Sequence, residues 1–271
     1  MCLQLLAGKG KYLYNSFHNS FFWKRGYSMS KYSTLLAWWQ SHHLRSAGDF
    51  EQLLKDFNPC FSYNSYLLEG GDIEFHTVQE FFQTGTVSQF TGNPKDLFVL
   101  SNHQFCYDYL RDRVLARDEL DTTMVQEVHR ILTSGVYDQP LYLNLGERPG
   151  ELKKQDFVTA VNAVGSPAQD VEEELDRLTE EISGYCGSEL LGEAAYFHCR
   201  FEHIHPFAAG NGATGQILVN FFLLSRDHPP LVFFAQDKEE YFHCLTVYDH
   251  TKDFQPMAAF FEKELLKSWT I

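Results

Sequence analysis

The spacing of apolar residues predicts a largely helical chain. Leu35, Leu36 and Trp39 begin an amphipathic helix, and "DFEQLLKDF" and "FHTVQEFFQTG" continue the same rhythm. Further helices are predicted over 95–116, 122–135, 189–204, 212–226, 237–249 and 254–268. The candidate core positions of the first of these are Leu97, Leu100, Phe105, Tyr109 and Val114. The pattern therefore indicates an all-α fold.

One segment breaks the helical rhythm. "LYLNLGERPGELKKQDFVTAVNAVGSPAQ", residues 141–169, is rich in turn residues and predicts a β-hairpin or an irregular flap. Helix then restarts, with Ser166 as its predicted N-cap and Pro167 in its first turn. Its predicted core face is Val171, Leu175, Leu178 and Ile182.

Composition and charge narrow the functional class. The 271 residues are 44% hydrophobic and 15% aromatic, which is typical of a folded globular chain. A net charge of −14 argues against binding nucleic acid or an anionic membrane surface. No apolar run reaches the roughly 18 residues that a membrane span needs. The six cysteines form no C-x-x-C pair, so we expect free thiols in a reducing cytosol. A bacterial cytoplasm is the simplest location that we expect for such a chain.

The chain divides into three predicted parts. Residues 1–28 fit no structural or signal-peptide pattern, and our hypothesis is that translation starts at Met29. Residues 29–90 form a helical arm. Residues 91–271 form the main domain.

The stretch "HIHPFAAGNGATGQ" carries the candidate chemistry. Gly210 and Gly212 flank Asn211 at a predicted helix start, where backbone N–H groups can converge on an anion such as phosphate. His205, just outside this turn, is placed to act as a general base towards an incoming hydroxyl. The alternative is a turn that joins two core helices, with His205 as a cap. The residues by themselves leave both interpretations open.

This stretch resembles the motif of the Fic (Fido-domain) family, H-P-F-x-[D/E]-G-N-G-R-x-x-R. The matching residues are His205, Pro206, Phe207, Gly210, Asn211 and Gly212. The resemblance extends over roughly residues 90–268 and implies a helical Fic core with a small β-hairpin flap. It also implies a protein adenylyltransferase, which uses ATP and Mg²⁺ to place AMP on a hydroxyl of a target protein with the motif histidine as base.

The resemblance assigns further residues. It implies nucleotide contacts for Phe207, the Gly210–Gly212 turn, Gln216 and Tyr241. "GELKKQDFVTA" resembles the flap that aligns the substrate, with Lys153, Lys154 and Phe157. Two solvated surface lysines are the alternative for Lys153 and Lys154.

A second match lies upstream of the main domain. "SYLLEG", with Ser65, Glu69 and Gly70, fits the family's autoinhibitory pattern [S/T]-x-x-x-E-[G/N]. The resemblance implies an N-terminal inhibitory helix, whose glutamate reaches the second arginine of the motif and obstructs the ATP γ-phosphate. An ordinary solvated helix end is the alternative.

Three positions depart from the motif. Ala209 replaces the acid that positions Mg²⁺, and Ala213 and Gln216 replace the two arginines. A hydrogen bond to a charged group contributes about 1.5–3 kcal/mol, so losing three such partners costs several orders of magnitude in rate. We therefore expect a weakened adenylyltransferase. The alternatives are a degenerate Fic fold that binds a nucleotide or a protein without turnover, and a transferase with a different donor.

Two remaining questions concern metal and assembly. Cys199 and His203, like His198 and Glu202, are four residues apart on a helix, which is one spacing for a zinc site. H-E-x-x-H is absent from the sequence, so we predict ordinary packing or surface roles and no metal site there. The resemblance is compatible with a homodimer.

Overall fold

The computed structural model describes residues 30–158 and 163–269 of the chain. The first seven helices are α1 (Lys31–Gln40), α2 (Ala47–Leu54), α3 (Phe57–Leu68), α4 (Phe75–Thr84), α5 (Pro94–Ala116), α6 (Thr122–Thr133) and α7 (Gln139–Asn144). Two short strands follow, β1 (Phe157–Val158) and β2 (Ala163–Val164). The remaining helices are α8 (Val171–Ser183), α9 (Leu190–Ile204), α10 (Asn211–Leu224), α11 (Lys238–Thr251) and α12 (Gln255–Ser268), with a 3₁₀ turn at Ala235–Asp237.

Side-chain caps explain where several helices begin. The Ser30 hydroxyl accepts from the N–H of Ser33 at the start of α1. Ser46 and Asp49 form a reciprocal capping box on α2. Asp121 accepts from the N–H of Met124 at the start of α6. The predicted all-α class is confirmed, and the α8 core face is buried as predicted.

The centre of the fold is the pair α9 and α10, which the motif turn connects. Helix α9 packs on α8, α10, α11 and α12, and α10 also packs on α3, α5 and α6. Helix α10 is buried around nearly its whole circumference, and Ile217, Leu218, Phe221 and Phe222 pack in the core. A helix enclosed in this way fixes the position of its first turn, which carries the candidate site.

The arm packs against the main domain. Helix α3 contacts α4, α5 and α10, and Trp39 of α1 packs edge-on against Trp269 beyond α12. The arm and the main domain therefore share one apolar core. This packing brings the carboxyl end of α3 to the amino end of α10.

Four sequence predictions need correction or completion. Phe105 is 63% exposed rather than buried, because it lies on the outer face of α5. Helix α8 begins at Val171 after Asp170, so Ser166 is not its N-cap. Residues 139–144 form α7 rather than part of a flap, with Asp138 as N-cap and Pro140 in the first turn. Phe157 pairs with Val164 in an antiparallel ladder, but residues 159–162 lie outside the described residues, so the hairpin flap stays a prediction.

Some predictions concern the ends of the chain or its environment. Residues 1–28 and Met29 lie outside the described residues, as does Cys2. The other five cysteines are free thiols. Within residues 30–158 and 163–269, no helix combines the length and the apolar character needed to cross a membrane.

Candidate active site

The motif histidine ends helix α9 in a left-handed conformation. His205 has φ 52° and ψ 63°, and its N–H donates to the carbonyl of Phe201 at 2.9 Å. Pro206 follows and cannot continue the helical hydrogen bonds. The backbone therefore turns sharply at the residue whose imidazole is the candidate base.

The turn that follows opens the first turn of α10. Gly210, the N-cap, has φ +78°, a conformation that glycine adopts without strain. The Asn211 side chain accepts from the N–H of Phe207 at 2.9 Å and donates to its carbonyl at 2.8 Å. Asn211 thus closes the loop on itself, and its amide is committed to the backbone rather than to a ligand. The N–H groups of the first turn of α10 carry the positive end of the helix dipole.

Lys153 and Gly165 pack closely around His205. The N–H of Lys153 donates to the carbonyl of Pro206 at 2.9 Å, and its Nζ lies 3.5 Å from the carbonyl oxygen of Ile204. Lys153 is 3% exposed, so the surface alternative for it is wrong. Gly165, with φ +78°, has no room for a side chain, because a Cβ there would lie 2.5 Å from the Cβ of His205.

This environment sets the protonation state of His205. Desolvation and then the charge of Lys153 lower the pKa of His205 to about 4. The imidazole is therefore neutral at pH 7 and able to accept a proton.

His129 of α6 clamps the motif loop through contacts with Phe207 and Ala209. Its ring stacks on Phe207 with centroids 3.7 Å apart. Its Nδ1 accepts from the N–H of Gly150 at 2.8 Å, so Nε2 carries the proton and donates to the carbonyl of Ala209 at 2.8 Å. Burial lowers the pKa of His129 to about 4, which keeps this tautomer neutral.

Glu69 occupies the amino end of α10. Its Oε1 accepts a hydrogen bond from the N–H of Ala213 at 3.1 Å. Ala213 is the third residue of α10, and its N–H has no partner within the helix, so Glu69 caps α10 from another part of the chain. Glu69 as a whole residue is exposed, but desolvation of its carboxyl raises its pKa.

The end of α3 aims Glu69 at this position. Glu69 is the C-cap of α3, and its N–H donates to the carbonyl of Ser65 at 3.3 Å. Gly70 follows with φ +88°, which turns the chain away. Ser65 is 1% exposed, and its Oγ has no hydrogen-bond partner among the described residues. The three residues of the "SYLLEG" pattern thus form one helix end directed at the motif.

Gln216 and Tyr241 are buried next to each other. Gln216 is 1% exposed and stands beside the Tyr241 hydroxyl, which forms a 2.8 Å hydrogen bond with Nε2 of His198. Tyr241 is 3% exposed. The charge of Glu202 acts on Tyr241, and Oε1 of Glu202 is sealed from solvent.

The other predicted flap residues lie away from this cluster. Lys154 pairs with Glu151 at 2.8 Å and donates to the carbonyl of Gly146 at 2.7 Å. Its side chain is 48% exposed, so it is a surface lysine. Phe157 belongs to β1.

The part of the chain that resembles known proteins contains the residues of this site. The profile of the Fic/DOC family matches residues 119–223, which contain the His129 clamp, His205 and the α10 turn. Residues 119–223 belong to the Fic/DOC family.

Two protein adenylyltransferases from Drosophila species resemble part of this Fic domain. The protein adenylyltransferase Fic of Drosophila persimilis is 37% identical over 67 residues, and that of Drosophila melanogaster is 36% identical over 67 residues. The match covers 25% of this chain and 13% of either relative, so it spans a small part of those proteins.

Solved structures show the fold over a wider range. A Fic-domain signalling protein from Bacteroides thetaiotaomicron has a TM-score of 0.75 and 22% identity, over 89% of this chain and 94% of that one. Fic-1 of C. elegans has a TM-score of 0.68 and 18% identity, over 87% of this chain and 70% of that one. These similarities establish a Fic fold that includes the arm.

The side chains of this Fic domain differ from those of a magnesium site. Ala209, at the position of the motif acid, has no side-chain oxygen, and its carbonyl is bonded to His129. The described residues contain no group of three or more His, Cys, Asp or Glu side chains that could hold a metal ion. The donor atoms present therefore do not fit the Mg²⁺ that the family resemblance implies.

Three contributors to the site were missed in the sequence. His129 and Gly165 act through contacts with residues more than 35 positions away, and no local pattern identifies such contacts. Glu202 was considered for zinc only. Its place three residues before His205, one helical turn away, was a usable signal that its carboxyl lies near the motif.

Proposed function

We propose that this chain is a weakened Fic-type transferase that moves AMP from ATP to a hydroxyl of a target protein. We further propose that Glu69 holds it in an inhibited state. The single observation that carries the proposal is the hydrogen bond from the N–H of Ala213 to Glu69. A carboxylate at that N–H group indicates that the turn still attracts an anion although both motif arginines are missing.

The same contact supports inhibition. The carboxylate of Glu69 and a phosphate of a nucleotide would compete for the same N–H group and the same helix dipole. Two like charges at one site are unfavourable, so phosphate binding requires Glu69 to leave.

The proposed chemistry assigns one step to His205. The target hydroxyl oxygen forms a bond to the α-phosphorus of ATP, the bond to the bridging oxygen breaks, and pyrophosphate leaves. The hydroxyl proton passes to the neutral imidazole of His205. Lys153 is a buried cation whose charge acts on His205, beside this step.

A second candidate function is a nucleotide- or protein-binding module without turnover. The observation that favours it is the replacement of charged groups by Ala209, Ala213 and Gln216. Phosphoryl transfer depends on positioning and on neutralising phosphate charge, so a domain without these groups retains binding more easily than catalysis.

Calorimetry with ATP tests binding. We expect Glu69→Ala to bind ATP at least tenfold more tightly than the unsubstituted chain, and Gly212→Asp to abolish binding by placing a carboxylate in the turn. Glu119→Ala removes an exposed loop carboxylate and serves as the matched control, with unchanged affinity. If Glu69→Ala does not bind ATP, the nucleotide proposal is wrong.

Labelling separates the two candidate functions. Glu69→Ala incubated with ATP labelled on the α-phosphate should transfer label to protein, and Glu69→Ala/His205→Ala should bind ATP but transfer none. Binding without label in both variants would favour the binding module.

A further inference from the structure

The carboxyls of Glu69 and Glu202 lie over the same side of α10. A Cβ at Gly212 would be 3.7 Å from Oε1 of Glu69, and a Cβ at Gly215 would be 3.2 Å from Oε1 of Glu202. Residues three apart on a helix are neighbours on its surface, roughly 5–6 Å apart at Cβ. Glu69 from α3 and Glu202 from α9 therefore converge on one turn of α10.

Gln216 stands at the same turn, four residues after Gly212. The Fic motif carries its second arginine here, and a guanidinium would supply charged hydrogen-bond donors at this turn. The amide of Gln216 supplies no charge. Oε1 of Gln216, Oε1 of Glu202 and Nδ1 of His198 are buried, and none of the three has a hydrogen-bond partner within the described ranges.

A buried carboxylate oxygen without a hydrogen-bond partner is unfavourable, and a proton on Glu202 removes its charge. An ionised carboxylate and an amide oxygen can only accept, whereas a protonated carboxyl is itself a donor. Protonation of Glu202 also removes a negative charge that would face the carboxylate of Glu69.

We propose that a proton on Glu202 replaces the missing motif arginine, so that Glu202 is the positioning residue that keeps Glu69 on the N–H of Ala213. This inference rests on the proposed function, because it names how the inhibited state of that site is regulated. Retention of Glu69 at the N–H of Ala213 then depends on pH. A glutamate–arginine pair would not depend on pH in the same range.

The electrostatic surroundings agree with this assignment. Desolvation, then the charges of Glu69 and Asp249, raise the pKa of Glu202 to about 8. The titratable groups around Glu69 and Glu202 are Tyr66 of α3, Lys95 of α5, His198 and Cys199 of α9, His205 directly after α9, and Tyr241 and Asp249 of α11. Asp249 forms a 2.8 Å contact with His203, and the charge of Lys95 acts on Glu69 in the opposite sense, by lowering its pKa.

The direction of the pH effect follows from linkage. Glu202 binds its proton more tightly while Glu69 is in place, since departure of Glu69 removes a negative charge and admits water. Docking of Glu69 is therefore favoured at lower pH and weakens as pH rises towards 8, by at most tenfold per pH unit. Above that pKa the docking equilibrium becomes constant again.

NMR titration of the full chain tests the proton directly. The ¹³C resonance of the Glu202 carboxyl, assigned by its loss in Glu202→Gln, should titrate near pH 8, and in Glu69→Ala its midpoint should fall. The Ala213 amide should shift with the same midpoint in the unsubstituted chain and stay constant in Glu202→Gln. Glu193→Gln, the same change in the first turn of α9, is the matched control and should leave both midpoints unchanged.

ATP binding between pH 6 and 9 provides the second test. Affinity should rise with pH in the unsubstituted chain, and this rise should be absent from Glu202→Gln. Glu69→Ala corrects for the ionisation of ATP itself. A Glu202 carboxyl that is ionised at pH 6, or an Ala213 amide that ignores its titration, would overturn the proton assignment while leaving ATP binding to Glu69→Ala intact. If no variant binds ATP, the proposed function fails, and the two NMR midpoints still decide the role of Glu202.

Discussion

Gly165 fits against His205 with no space for a methyl group. A Cβ on Gly165 would lie 2.5 Å from the Cβ of His205, 2.5 Å from the carbonyl oxygen of Ile204 and 2.8 Å from Nζ of Lys153. The N–H of the next residue, Ser166, donates to that carbonyl at 3.0 Å. The candidate base is therefore held by a backbone contact with the segment after β2, not only by its own helix.

Gly165→Ala should displace this segment from the motif. The expected cost is roughly 3 kcal/mol or more, since the new methyl meets backbone and Cβ atoms and the left-handed conformation adds strain. Urea unfolding measures it. Gly135→Ala is the control, because Gly135 has φ +70° but no heavy atom within 4 Å of a new Cβ. Equal costs for the two variants would mean that only the conformation matters.

His129→Phe should loosen the motif loop. The phenyl ring retains stacking on Phe207, but the N–H of Gly150 and the carbonyl of Ala209 each lose a partner, at about 1–3 kcal/mol per buried group. Hydrogen exchange of the Gly150 amide and of residues 207–213 should accelerate. His103→Phe makes the same change in α5, and exchange in the loop should not respond to it. Protection unchanged in His129→Phe would contradict the clamp.

Buried histidines should make the fold sensitive to acid. Burial lowers the pKa of His103 to about 4, below the ordinary value of about 6.5. A lowered pKa means that the neutral histidine contributes stability fully above about pH 6.5, and this contribution is lost as pH falls towards 4. The destabilisation by His103→Phe should therefore shrink by up to about 1.4 kcal/mol per pH unit between pH 6.5 and 4.5.

Denaturant unfolding of both proteins at several pH values measures that difference. His76→Phe, at a side chain that is 74% exposed, is the control for replacing a histidine by phenylalanine outside the core. A constant difference for His103→Phe would mean that His103 does not resist protonation in the folded chain.

Restoring the motif should restore rate. In the Glu69→Ala background, the combination Ala209→Asp, Ala213→Arg and Gln216→Arg returns an acid to the turn before α10 and two phosphate cations to the first two turns of α10. One charged hydrogen bond is worth about 1.5–3 kcal/mol, so the combination should raise labelling by at least tenfold. Adding His205→Ala should abolish the gain. A restored motif without any increase would indicate that another feature limits transfer.

The sequence by itself determined the helical class, the α9–turn–α10 arrangement of the motif and the register of α8. These depend on local information: apolar spacing, a proline after His205, and glycines at a helix start. It also brought Ser65, Glu69 and Gly70 to attention as a pattern. The loss of charge at Ala209, Ala213 and Gln216 can be read directly from the residues.

The tertiary structure decided what those residues contact. Glu69 bonds to the N–H of Ala213, 144 residues away, and Lys153 is buried beside His205 rather than solvated. Both outcomes depend on the packing of α3 and of the segment before β1 against α10 and the motif loop. Local propensity cannot encode such contacts, because desolvation and charge proximity arise only when distant segments meet. For the same reason the burial and charged neighbours of Glu202 and His205 became visible only in the folded chain.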